Sequence, residues 1–148
     1  MNNSKPNDCF LLCPPDYFRV DYSINPWMIN QEVDQKIAVM QWLELVLQIQ
    51  KNGGVVKTIK PTSDLPDMVF TANCGIIHNG TVVLSNMKHK ERQGEKKHFS
   101  TWFKENQYNI VELIPSATFE GCGDALVHGD SLIGGFGFRS NLLGLEIT

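Results

Sequence analysis

Phe119-Glu120-Gly121-Cys122-Gly123-Asp124-Ala125-Leu126 sets two carboxylates and two glycines directly ahead of an alternating apolar run. A fainter copy lies fifty residues upstream, where Phe70-Thr71-Ala72-Asn73-Cys74-Gly75 falls in the same frame. Hairpins of one pattern follow both: Ile76-Ile77-His78-Asn79-Gly80-Thr81-Val82-Val83 and Leu126-Val127-His128-Gly129-Asp130-Ser131-Leu132-Ile133. In each, an apolar pair, a His, a two-residue turn, a hydroxyl residue and a second apolar pair recur in order. Eight positions that agree in type at one offset mark an internal repeat of about fifty residues, a period that signals propellers and arrays of stacked units.

Moving outward, each copy is preceded by a strand and each strand by a helix. Val55 to Ile59 alternates apolar and polar and runs into Pro61; Ile110 to Ile114 is its counterpart, stopped by Pro115. The first helix spans Gln31 to Asn52, with Asn30 as its cap and Gly53-Gly54 as its end. Its apolar stripe is Val33, Ile37, Met40, Leu43, Leu47 and Ile49. A shorter helix runs from Gly94 to Asn106, with His98, Trp102 and Phe103 available for packing. Asn79-Gly80 is the strongest turn signal in the chain, because both residues accept the positive φ that a tight hairpin requires.

The flanks are shorter pieces. Residues 1–8 read as a disordered tail, and 9–148 as one domain that opens with a strand from Cys9 to Cys13. Asp16 to Met28 is polar and aromatic without helical period, a loop of the kind that carries function on a rigid scaffold. Arg139-Ser140-Asn141 looks like a helix cap, with only seven residues after it. Units reading helix, strand, hairpin cannot bury their faces alone and must stack in threes or more. A lead-in, two full units and the start of a third are present, so the architecture is expected to be open at its C-terminal end.

The totals exclude several classes. A net charge of −3 gives no electrostatic footprint for nucleic acid or an anionic membrane. No apolar run reaches membrane-spanning length, and Phe10-Leu11-Leu12-Cys13 is too short for a secretory signal. The expectation is a cytoplasmic protein. Four cysteines, at 9, 13, 74 and 122, lack metal-ligand spacing and are read as reduced structural thiols. Neither a metal nor any other cofactor is expected. Gly134 to Gly137 is not followed by Lys-Ser/Thr and is no phosphate loop.

The chemistry concentrates at the two polar clusters. Glu120 and Asp124 lie four apart across two glycines, so an extended backbone presents both on one face. Asn73 and Phe70 belong to the matching cluster of the first copy. Two carboxylates, an amide and a ring suit a planar cation such as a guanidinium, which takes bidentate hydrogen bonds in plane and stacking out of plane. Arg92 and Arg139 each follow a hairpin and are candidates to hold a ligand carboxylate. Surface charge explains each of these residues singly. His78 and His128 occupy equivalent hairpin edges and are read as structural.

Taken together, Ser23-Ile24-Asn25-Pro26-Trp27-Met28, Pro66-Asp67-Met68-Val69-Phe70-Thr71-Ala72-Asn73, Phe119 to Leu126 and Gly137-Phe138-Arg139-Ser140 resemble the guanidino-group-modifying, or pentein, superfamily. That group includes dimethylarginine dimethylaminohydrolases, arginine deiminases, arginine dihydrolases and glycine amidinotransferases. The resemblance implies an α/β propeller of ββαβ units around a polar centre, of which this chain would form half to three fifths. It implies that Glu120 grips the substrate guanidinium and that Asp124 orients its own motif. It also implies that Arg92 and Arg139 bind the α-carboxylate and that Asn25 lines the pocket wall. Asn73, where deiminases carry Asp, points toward the arginine dihydrolase branch.

The family's nucleophilic Cys and its general acid–base His belong to later blades, and no motif for them is found here. Two expectations follow. One is the N-terminal part of a hydrolase of arginine or a methylated arginine. The other is a non-catalytic half-propeller that pairs with itself or with a second polypeptide.

Overall fold

The computed structural model describes residues 8–129 and 131–148; residues 1–7 of the expected tail, and Asp130 of the second turn, lie outside them. Two compact units, Met1–Thr71 and Ala72–Thr148, divide the chain, and each mixes helix with sheet.

In the first unit, β1 (Cys9–Leu12) and β2 (Val55–Thr58) pair in parallel, from Cys9 opposite Val55 to Leu12 opposite Thr58. Parallel neighbours need a crossover, and α1 (Gln35–Lys51) supplies it. Asp8, assigned to the tail from sequence, instead extends the pairing by accepting from the Val55 N–H at 2.8 Å. The helix also starts later than expected. Its cap is Asp34, whose side chain accepts from the Lys36 and Ile37 N–H groups, whereas Asn30 sits in the left-handed region at φ 55°. The packing face differs as well. Ile37, Met40, Leu43 and Leu47 are exposed, and the half-buried positions are Ala38, Val39, Trp42, Val46 and Ile49. Both sets have helical spacing, so periodicity alone does not choose between them.

The second unit carries the repeat. β3 (Gly75–His78) and β4 (Thr81–Leu84) form an antiparallel hairpin across Asn79 and Gly80, whose φ values of 47° and 75° suit that turn. From β4 the chain crosses through α2 (Lys90–Gln93) and α3 (Glu95–Glu105) to β5 (Asn109–Glu112), which lies parallel to β4. β6 (Ala125–His128) and β7 (Ser131–Gly134) repeat the hairpin with the same register. Next comes α4 (Leu142–Ile147), capped by the Asn141 side chain, so the suspected cap does start a short helix. The fifty-residue offset holds to the residue in both hairpins.

Burial in this unit is concentrated under the first hairpin. Val82, Leu84, Phe99 and Phe103 are fully buried. Ile76, Leu113, Ala117, Phe119 and Ala125 form a second cluster, with Val83 and Leu145 against it. Phe99 replaces the expected His98 on the packing face of α3, because the buried column runs Glu95, Phe99, Phe103 at i, i+4. No helix among the described residues is long and apolar enough to cross a membrane.

Candidate functional site

Two tight turns bring the polar clusters of the repeat together within the second unit. Asn73 and Cys74 close one short 3-10 turn, and Gly121–Gly123 is another. Gly121 has φ +57°, and a Cβ on it would stand 2.5 Å from the Gly75 carbonyl oxygen and 2.8 Å from that of Ala72. Only glycine allows the two main chains to approach this closely. As a result, the Asn73 Nδ2 donates to the Glu120 carbonyl oxygen at 3.4 Å.

Glu120 is 2% exposed. Its N–H donates to the Ser140 Oγ at 3.1 Å, and Ser140 in turn donates to the Asp124 Oδ2 at 2.7 Å. Arg139 reaches over both acids. Its Nε donates to the Asp124 Oδ1 at 3.0 Å, its Nη2 donates to that same oxygen and to the Gly123 carbonyl at 2.9 Å, and its Nη1 lies 3.4 Å from the Glu120 Oε2. A guanidinium supplied by the chain itself therefore already rests on these two carboxylates. Nε and Nη2 converge on a single Asp124 oxygen, so this contact falls short of the two-oxygen fork that a guanidinium makes with a carboxylate at its strongest.

Asn73 is held from its other end. Its Oδ1 accepts from the Arg92 Nη1 at 3.2 Å. Arg92, 4% exposed, donates through Nε and Nη2 to the two oxygens of Glu95 at 2.7 and 2.8 Å. Glu95 is 1% exposed. A bidentate pair removed from water is stable only when its remaining hydrogen-bonding positions are used, and the Asn73 oxygen uses one of them.

Five of the residues singled out from the sequence thus share one neighbourhood: Asn73, Arg92, Glu120, Asp124 and Arg139. Asn25 and Phe70 belong to the first unit. The Asn25 side chain accepts from the Trp27 N–H at 3.0 Å and starts the turn Pro26–Met28. Phe70 packs edge-on against Phe18 at 5.6 Å between ring centres. Sequence reasoning missed Glu95 and Ser140. The Arg92–Glu95 spacing of three on a helical stretch was the available signal for the first.

The thiols add a constraint. Burial pushes Cys74 up to about 12, and the neighbouring Cys122 and Glu95 add to the rise. Burial raises the Cys122 thiol as well. Neither is a thiolate near neutral pH, the form that a nucleophile or metal ligand needs. No group of three or more His, Cys, Asp or Glu side chains among the described residues is arranged to hold a metal ion.

The profile of the family "N,N dimethylarginine dimethylhydrolase, eukaryotic" matches residues 18–134. The chain belongs to this family. The dimethylarginine dimethylhydrolase family thereby bears out the resemblance drawn from the motifs. A bifunctional arginine dihydrolase/ornithine cyclodeaminase, ArgZ of Synechocystis, is 48% identical over 136 residues, covering 89% of this chain and 19% of ArgZ. The N(G),N(G)-dimethylarginine dimethylaminohydrolase of Mycobacterium tuberculosis is 37% identical over 133 residues, covering 89% of this chain and 43% of that enzyme. The chain therefore spans less than half of the length of either relative. Among solved structures, the N-terminal domain of ArgZ bound to product superimposes with a TM-score of 0.88 at 47% identity, over 93% of this chain and 51% of that one.

Proposed function

We propose that this chain is the N-terminal, substrate-gripping part of a hydrolase acting on the guanidino group of arginine or a methylated arginine, built as part of an α/β propeller. The observation that carries this reading is buried Glu120, whose main-chain carbonyl accepts from the Asn73 amide and whose carboxylate has a guanidinium lying against it. A substrate guanidinium would take the place that Arg139 occupies in part. Glu120 grips it, Asp124 holds the turn that presents Glu120, and Asn73 supplies an amide at the same end. Arg139 turns toward the α-carboxylate, while Arg92 stays paired with Glu95 and holds the Asn73 amide. The relatives named for arginine dihydrolase activity favour arginine over its methylated forms.

The nucleophile comes from outside these residues. Covalent attack on a guanidinium carbon needs a thiolate and a proton-transferring partner, and the raised Cys74 and Cys122 thiols are poor candidates. The remaining half of the propeller, on this polypeptide or another, would supply them.

Titration calorimetry of the protein with arginine, dimethylarginine and lysine tests the reading. Arginine should bind more tightly than lysine, and Glu120→Ala should weaken arginine at least tenfold. Equal affinity for arginine and lysine, or an unaffected Glu120→Ala variant, would remove the guanidino assignment.

A further inference from the structure

Beyond the residues that would touch substrate, we infer that Glu95 is a positioning residue: acting through Arg92, it fixes which way the Asn73 amide faces. The inference rests on the guanidino reading for its functional consequence, but its geometry stands apart from it.

An arginine guanidinium only donates, so the Asn73 atom 3.2 Å from the Arg92 Nη1 must be its oxygen. That contact settles an orientation which an isolated amide leaves open. With the oxygen on Arg92, the NH2 group points to the Glu120 carbonyl, at 3.4 Å. The opposite flip would set NH2 against guanidinium N–H groups and oxygen against a carbonyl oxygen, losing both bonds. Arg92 can offer Nη1 to Asn73 because Glu95 takes its other edge, Nε and Nη2, in a bidentate pair. All three side chains are at least nine-tenths buried, so water does not substitute for a missing partner. Space is restricted too: a Cβ on Gly123 would lie 2.1 Å from the Asn73 Nδ2. The chain Glu95, Arg92, Asn73, Glu120 thus joins the first turn of α3 to the main chain of the residue proposed to grip the substrate.

A bland alternative is an ion pair that merely ties α2 to α3, and the two differ in what a change at Glu95 does to Asn73. In the 148-residue chain labelled with 15N-asparagine, the side-chain amide signals of Asn73, assigned with Asn73→Asp, should move or broaden in Glu95→Gln while the backbone fingerprint persists. Glu95→Asp, which keeps the charge and shortens the reach, should give a smaller displacement and serves if Glu95→Gln does not fold. An Asn73 signal unmoved in the folded variant overturns the inference.

The ligand arm uses arginine and agmatine, which is arginine without its carboxylate. Glu95→Gln should weaken both about tenfold or more, because the amide acts at the guanidinium end. Loss of arginine binding alone would place the effect at the carboxylate and overturn the route through Asn73. Failure of the unaltered chain to bind either ligand would sink the guanidino reading instead, leaving the Asn73 signals to decide the role of Glu95.

Discussion

The two hairpins of the second unit have one pattern, one turn length and one register, yet the second is the more exposed of the two. In β4, Val82 and Leu84 are 0% exposed; in β6 and β7, Leu126 and Ile133 are 64% and 63% exposed. The first hairpin has β5 along its edge and the aromatic column of α3 in the same buried core. The second has, among the described residues, only α4 following it, and its sheet is two-stranded. A two-stranded hairpin is marginal in water by itself. The repeat therefore encodes a hairpin that becomes a core only when its own helix and strand are added, and that addition accounts for the difference.

The largest test of this contrast is Phe103→Ala. Removing a fully buried ring from beneath the first hairpin should cost about 3–5 kcal/mol in denaturant unfolding. A loss under about 1 kcal/mol would mean that α3 is not what closes the hairpin. Gly121→Ala probes the contact between the two copies. It combines a left-handed backbone with a Cβ set against main-chain atoms, and it should cost about 1–3 kcal/mol by the same measurement.

The cysteines sharpen the comparison by pH. Above pH 9 an unfolded Cys74 thiol gives up its proton, while the folded one keeps it up to about 12. Stability should therefore fall as pH rises through that window, by up to about 1.4 kcal/mol per pH unit from this group. Cys74→Ala should flatten the slope of stability against pH, and an unchanged slope would show that the thiol is not sealed. Exposed Cys122 should be alkylated at pH 8 while buried Cys74 is spared, as peptide mapping would show. The smallest effect is expected at Ile133→Ser, within about 0.5 kcal/mol of the starting stability. A loss above about 2 kcal/mol would mean that the second hairpin is covered in solution, and the contrast between the two would collapse.

The repeat, the hairpin registers and the grouping of Asn73, Glu120 and Asp124 were legible in the sequence because they depend on local signals at fixed spacing. Asn79-Gly80 needs no tertiary context to specify its turn. The packing face of α1 was not legible, since apolar residues surround much of that helix and the sheet alone selects Trp42 over Met40. Arg92 and Arg139 were legible as important but not as engaged. Their carboxylate partners lie three and fifteen residues away in sequence, as Glu95 and Asp124. The second distance is spanned only once the β6–β7 hairpin folds back.

Gly121, pressed against Gly75 and Ala72, has a consequence for how this site can change over evolutionary time. The separation between the amide of residue 73 and the carboxylate-bearing residue 120 is gauged by main chain against main chain, not by the bulk of any side chain. Substitutions at 73 can then exchange one functional group for another while the gauge stays constant. A lineage could exchange the side chain at that single position without having to rebuild the scaffold around it.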